Sequence, residues 1–241
     1  MRKIAGKFFR WAEFWAILAL CSAGCAKNGS NVTTNPVTYL SVIHGAPYAG
    51  LANVYLNDTL ITSANGITPG TYSPKYGTIR PGSYDVKFEE TGTDSILAEI
   101  PTSAFDTLTF YTLLLYNNAG GGPAYAVKIL DNFSQLNNSS TFVRFFNLCP
   151  DVPSVDLYFD SLQVQASRGT ADNVSNGIYN LFQPATPGTY TITVKISQTD
   201  TVVVSALNIK LLADNAYTIF ATENRATNPV TFELSVLQAA F

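Results

Sequence analysis

The chain has 241 residues, of which 46% are apolar and only 13% charged, with 14 basic residues against 17 acidic ones. So sparse and slightly acidic a charge set excludes the basic footprint that nucleic-acid binding needs, and the length suits two domains of about 100 residues. One histidine and three cysteines leave little material for a metal centre or a disulfide framework, and no cofactor is expected.

The N-terminal segment reads as an export signal. Arg2, Lys3, Lys7 and Arg10 precede an apolar run from Phe14 to Leu20, and small residues then lead to Cys25. The run falls well short of the ~20 residues that a membrane-spanning helix needs, so residues 1–24 are expected to be cleaved. Ser22-Ala23-Gly24-Cys25 is similar to a bacterial lipobox, in which the cysteine is lipidated and begins the mature chain. Ser22 stands where that motif usually has Leu, and cleavage near Gly24 without lipidation is the competing reading. Residues 25–37 then form a lipidated, polar tether. With Cys25 acylated, Cys149 has no disulfide partner, and behind Phe145, Phe146 and Leu148 it reads as a small buried hydrophobe.

From residue 38 onward, short runs rich in Val, Ile, Thr, Tyr and Phe are separated by Gly, Pro, Asn and Asp, and no segment carries a helical period. Strands are expected near 39–44, 53–57, 60–64, 83–89, 96–100, 110–116 and 125–130. After a polar break at Gln135 to Ser140, they are expected near 142–148, 155–159, 163–166, 189–196, 202–207, 217–222 and 231–236. Four landmarks recur in the same order. His44-Gly-Ala-Pro47 aligns with Asn147-Leu-Cys-Pro150, and Val54-Tyr55-Leu56-Asn57 aligns with Leu157-Tyr158-Phe159-Asp160. Pro81-Gly-Ser-Tyr84 aligns with Pro187-Gly-Thr-Tyr190, and Phe110-Tyr111-Thr-Leu113 aligns with Ala216-Tyr217-Thr-Ile219. The chain is therefore expected to be all-β, with two tandem immunoglobulin-like antiparallel β-sandwiches at residues 38–136 and 137–241, although it lacks the Cys…Trp…Cys signature.

These landmarks resemble the bacterial domain-of-unknown-function family 4397 (DUF4397), whose copies begin near V-x-x-H-A-S-P-D-A-P-x-V-D-V-Y-V-D-G. The first copy matches at His44, Pro47 and Tyr55, and the second at Pro150, Asp151, Asp156, Tyr158 and Asp160, with Asn147 in place of the histidine. The resemblance implies an immunoglobulin-like fold and a cell-envelope setting of Bacteroidetes type, and brings no family activity with it.

Chemistry is thin. His44 has no ligand-spaced partners and no G-x-S-x-G elbow accompanies it, so it reads as a strand-end histidine that positions the Ala46-Pro47 turn. Asp151 and Asp156 are weak calcium candidates, since Asp156 and Asp160 lie about 13 Å apart along one strand. Tyr48, Tyr76, Tyr116 and Tyr125, which have no counterpart in the other copy, and the Gly120 to Pro123 loop are where a sugar platform would form. Thr59, Ser95, Thr107, Ser161 and Thr201 each follow Asp and precede an aliphatic residue, similar to a Bacteroidetes O-glycosylation sequon or, equally, to turns. The expected function is that of a non-catalytic envelope lipoprotein, held at the outer membrane by its lipid, facing either side, and serving adhesion, structure or partner binding. A carbohydrate-binding accessory lipoprotein is the alternative, predicting exposed tyrosine clusters, and an envelope hydrolase the second, predicting His44 in a cleft beside a nucleophile. Partners are the membrane and an envelope protein or glycan, with no nucleic acid.

Overall fold

The computed structural model describes residues 35–172 and 177–239, and the signal segment, Cys25 and most of the tether lie outside them. The first copy contributes β1 (Thr38–Gly45), β2 (Ala52–Leu56), β3 (Thr59–Leu60), β4 (Thr71–Tyr72), β5 (Gly77–Ile79), β6 (Gly82–Glu90), β7 (Ile96–Phe105), β8 (Phe110–Asn117) and β9 (Ala124–Asp131). The second contributes β10 (Thr141–Leu148), β11 (Val155–Phe159), β12 (Leu162–Arg168), a 3₁₀ turn at Gly177–Asn180, β13 (Gln183–Ala185), β14 (Gly188–Ile196), β15 (Val202–Leu211), β16 (Ala216–Asn224) and β17 (Thr231–Gln238). Expected strand 60–64 shrinks to the two residues of β3, while β4, β5 and β13 are short edge pieces whose few residues carry no period to detect.

Both copies are β-sandwiches with the same strand order. One sheet runs β4/β5-β1-β8-β9 in the first copy and β13-β10-β16-β17 in the second; the other runs β3-β2-β6-β7 and β12-β11-β14-β15. β1 pairs with β8, and β10 with β16, in parallel, while every other pair is antiparallel. This refines the immunoglobulin-like expectation. A constant-type immunoglobulin domain keeps its first and second strands in one sheet, whereas here β1 and β2 lie in opposite sheets. The six-residue link between them, with Ala46 and Pro47 buried in it, crosses from sheet to sheet.

Turn chemistry repeats with the strands. Asn57 and Asp160 both take positive φ, 50° and 52°, at the β2–β3 and β11–β12 hairpins, where short polar side chains tolerate the left-handed region. Each then uses its side-chain oxygen to accept a backbone N–H, from Asp85 at 3.1 Å and from Thr191 at 2.8 Å. The Tyr84 and Tyr190 hydroxyls each donate four residues back, to Arg80 O and Thr186 O, pinning the entry to β6 and β14.

Three apolar layers separate four sheets. One core joins Leu40, Val42, Leu113 and Leu115 of the inner sheet to Val54, Val86 and Phe88 of the outer sheet in the first copy. Its counterpart joins Val143, Phe145 and Ile219 to Leu157, Ile192 and Val194. The third lies between the copies, where Ile43, Leu114, Tyr116 and Ile129 meet Phe146, Leu148, Phe220 and Leu237. Because both inner sheets are covered on both faces, β1, β8, β10 and β16 are buried almost throughout.

Repeat-equivalent positions meet along this seam. Leu114 and Phe220, Ile43 and Phe146, and Ile129 and Leu237 are equivalent pairs within it. Gly45 faces its own counterpart Leu148, so that a methyl group on Gly45 would run into Leu148 Cδ1. Side chains contact their own equivalents only near a symmetry axis. The two copies are thus related by a pseudo-two-fold axis running along the inner strands.

Candidate functional site

At the start of the inner strands the seam is polar. Arg144 interrupts the apolar run Phe142-Val-Arg-Phe-Phe146 on β10 and points between the sheets, where it is 2% exposed. Its Nη1 donates to Asp131 Oδ1 at 2.5 Å, its Nη2 to Thr112 Oγ1 at 3.0 Å, and its Nε to Thr218 Oγ1 at 2.8 Å. Thr112 and Thr218 are repeat equivalents, so the guanidinium lies on the pseudo-two-fold axis and ties both copies at once. Asp131 Oδ2 accepts from Tyr76 and Thr112, each at 2.6 Å. Burial and the Asp131 charge push the Tyr76 phenol far above its usual range, so it stays a donor. The Phe182 ring lies 4.4 Å from the guanidinium carbon. A buried charge is tolerated only when its donors are used, and this one has carboxylate, hydroxyl and ring partners on every side.

At the other end of the seam the β1–β2 and β10–β11 loops converge with the β8–β9 and β16–β17 loops. Tyr48 and Asp151, equivalent positions, join directly, Tyr48 O–H donating to Asp151 Oδ1 at 2.6 Å. Arg225 Nη1 bridges Asp151 Oδ2 at 2.6 Å and Glu223 Oε2 at 3.0 Å, and its guanidinium stacks 3.9 Å from the Tyr48 ring centroid. Glu223 Oε1 accepts the Asp151 N–H at 2.8 Å. The opposite side of Tyr48 meets Gly121, where φ is +77° and a Cβ would lie 2.7 Å from the ring, and Gly120 N–H donates to Pro150 O at 2.7 Å. Tyr48 and then Arg225 hold the Asp151 carboxyl below its usual range, whereas burial pushes Glu223 up. This cluster is the partly exposed polar surface to which both copies contribute.

The family-motif residues take structural positions. His44 is buried, its Nε2 2.8 Å from Gly50 O while Nδ1 accepts from Ala46 N–H at 3.4 Å, and burial lowers its pKa. Asn147 does the same work in the second copy, its Oδ1 accepting from Cys149 N–H at 3.0 Å and its Nδ2 donating to Arg168 O at 3.0 Å. Pro47 and Pro150 are buried behind them, and Tyr55 and Tyr158 lie half-buried on the outer sheets. Backbone groups engage both ring nitrogens of His44.

The aspartates do not gather. Asp151 belongs to the loop cluster, while Asp156 Oδ1 accepts from Ser167 N–H at 2.8 Å and Ser197 O–H at 2.7 Å. Burial opposes ionisation of Asp156, but those hydrogen bonds outweigh it and lower its pKa. Asp160 serves its hairpin, and among the described residues no group of three or more His, Cys, Asp or Glu is placed to hold a metal. Nor do the tyrosines form one platform. Tyr116 is buried, its phenol pushed up to about 12 by burial; Tyr76 is bound to Asp131; and one face of the Tyr48 ring is stacked by Arg225. Tyr125, 5.9 Å from Tyr116, and Tyr48 are exposed to a similar extent, 43% and 42%. Cys149 is fully buried, and burial with the nearby Glu223 and Asp151 raises its thiol well above the ordinary range. Thr59, Ser95, Thr107, Ser161 and Thr201 are all exposed, whereas Cys25 lies outside the described residues.

Sequence reasoning passed over Arg144, Asp131, Glu223 and Arg225. Arg144 carried a readable signal, since a lone charge inside a five-residue apolar run needs a buried partner. The others carried none, because what pairs them is the packing of one copy on the other. No curated protein matches this sequence. Residues 38–158 and 141–238 each match one family, and together these matches span most of the chain. The chain therefore belongs to the family described as Domain of unknown function (DUF4397), which it carries as two overlapping tandem copies.

Proposed function

We propose that this protein is a non-catalytic lipoprotein of the bacterial cell envelope that presents the Tyr48–Asp151–Arg225 end of its paired sandwiches to an envelope partner. The carrying observation is the convergence of equivalent loops from both copies into one polar surface on a doubly buried seam. A preorganised surface binds without first ordering its loops. Its sole histidine and its buried Cys149 are spent on the fold, which supports a non-catalytic reading.

Two experiments test this. Metabolic labelling with palmitate is expected to tag the wild-type chain and not Cys25→Ser; an unlabelled wild type contradicts the lipid anchor. Crosslinking in intact cells, followed by purification, is expected to recover a discrete envelope partner that Tyr48→Ala with Arg225→Ala loses. Equal recovery by the variant contradicts the assigned surface. We also propose Thr59, Ser95, Thr107, Ser161 and Thr201 as O-glycan acceptors on the strength of their exposure; an intact mass of native protein with no added sugar contradicts this.

A further inference from the structure

The two copies differ at one sandwich edge. In the second, β12 extends seven residues beside β11, whereas in the first β3 pairs with β2 over only two. The chain after β3 instead loops across the open edge, and between it and β1 lies a cavity of about 530 Å³, within the size range of small-molecule sites. Leu40 and Val42, both part of the buried core, form its floor, and Ile61, Ile67 and Ile79 form its walls. With Tyr72 its single aromatic residue, the cavity has no pair of ring faces to sandwich a sugar or planar ligand.

Its polar groups share one character. Lys75 is the only charged residue lining the cavity. Three hydroxyls there already accept backbone N–H groups: Thr62 from Val54 at 3.1 Å, Ser73 from Val42 at 3.2 Å and Ser63 from Asn65 at 3.3 Å. A hydroxyl used as an acceptor keeps its own proton to donate. The lining therefore combines aliphatic side chains, one exposed lysine and spare O–H donors, with no acidic residue.

We propose that this cavity binds a small amphiphile with an aliphatic chain and an anionic head, of the medium-chain carboxylate class. The chain lies against Leu40, Val42, Ile61, Ile67 and Ile79, and the carboxylate meets Lys75 and the Ser63 and Ser73 hydroxyls. The site is separate from the loop surface proposed above, so either assignment can fail alone.

The test is isothermal titration of the full chain, purified without detergent, with decanoate and with decyltrimethylammonium, which share a chain length but carry opposite charges. Saturable binding of decanoate is expected, with the cation about tenfold weaker or more. Lys75→Glu, at an exposed position that leaves the fold unchanged, is expected to remove that preference, and Ile61→Trp to abolish binding by filling the cavity. Absence of saturable decanoate binding, equal binding of the two amphiphiles, or an unchanged preference in Lys75→Glu overturns the proposal.

Discussion

Single residues carry the clearest tests. His44 and Asn147 fill one role with different chemistry, and the histidine alone titrates. Burial holds its pKa below the ordinary ~6.5. Below that pH the unfolded chain takes up a proton that the folded chain refuses, so His44's contribution is complete above about 6.5 and is lost as pH falls. His44→Asn is expected to cost about 1 kcal/mol and to flatten this acid-side loss in urea denaturation at two pH values, whereas His44→Ala costs about 1–3 kcal/mol by orphaning two backbone groups. A His44→Asn protein as acid-sensitive as wild type would contradict that assignment. Arg144 is tested differently. Arg144→Met leaves the buried Asp131 without its cation and is expected to cost about 3–5 kcal/mol, while pairing it with Asp131→Asn recovers part of the loss. Independent, additive costs would contradict the buried lock. Part of this was legible in the sequence. His44 reads as a turn residue from its place before Ala46-Pro47, whereas the partner of Arg144 sits in another strand, thirteen positions away, where no spacing rule reaches.

Elements show where period reading succeeds and where it stops. β11 turns Val155, Leu157 and Phe159 into the core, and Asp156 between them is buried too. β8 and β10 do not alternate: Leu113-Leu114-Leu115 and Phe145-Phe146 are buried on both sides. Such continuous apolar runs mark strands covered on both faces. They are legible as runs, but sequence does not say that the second cover is the neighbouring copy. The same limit applies to strand order, because β1 and β2 look alike whether they share a sheet or face each other. Phe220→Ala, on the seam face, is accordingly expected to cost about 3–5 kcal/mol, as a core substitution does, against less than about 0.5 kcal/mol for Thr191→Ala on the outer sheet. A small loss from Phe220→Ala in chemical denaturation would mean that the seam face is open to water. At Gly45, where even a methyl group meets Leu148, Gly45→Ala is expected to cost about 1–3 kcal/mol in the same assay.

On the scale of the whole molecule, the repeat and the family were legible from four landmarks, but the relation between the copies was not. Duplication gave each copy the same inner face, and self-complementary apolar faces such as Ile43/Phe146 and Leu114/Phe220 pack about a two-fold axis. The few departures from the repeat then differentiate the ends of the seam: Arg144 replaces Ser41 at one end, and Asp151 replaces Tyr48 at the other. The shared buried seam makes the two sandwiches one cooperative body, a property read by differential scanning calorimetry of the full chain. A single transition is expected, moving as a whole to lower temperature in Arg144→Met. Two resolved transitions, with Arg144→Met shifting only one of them, would mean that the sandwiches unfold independently.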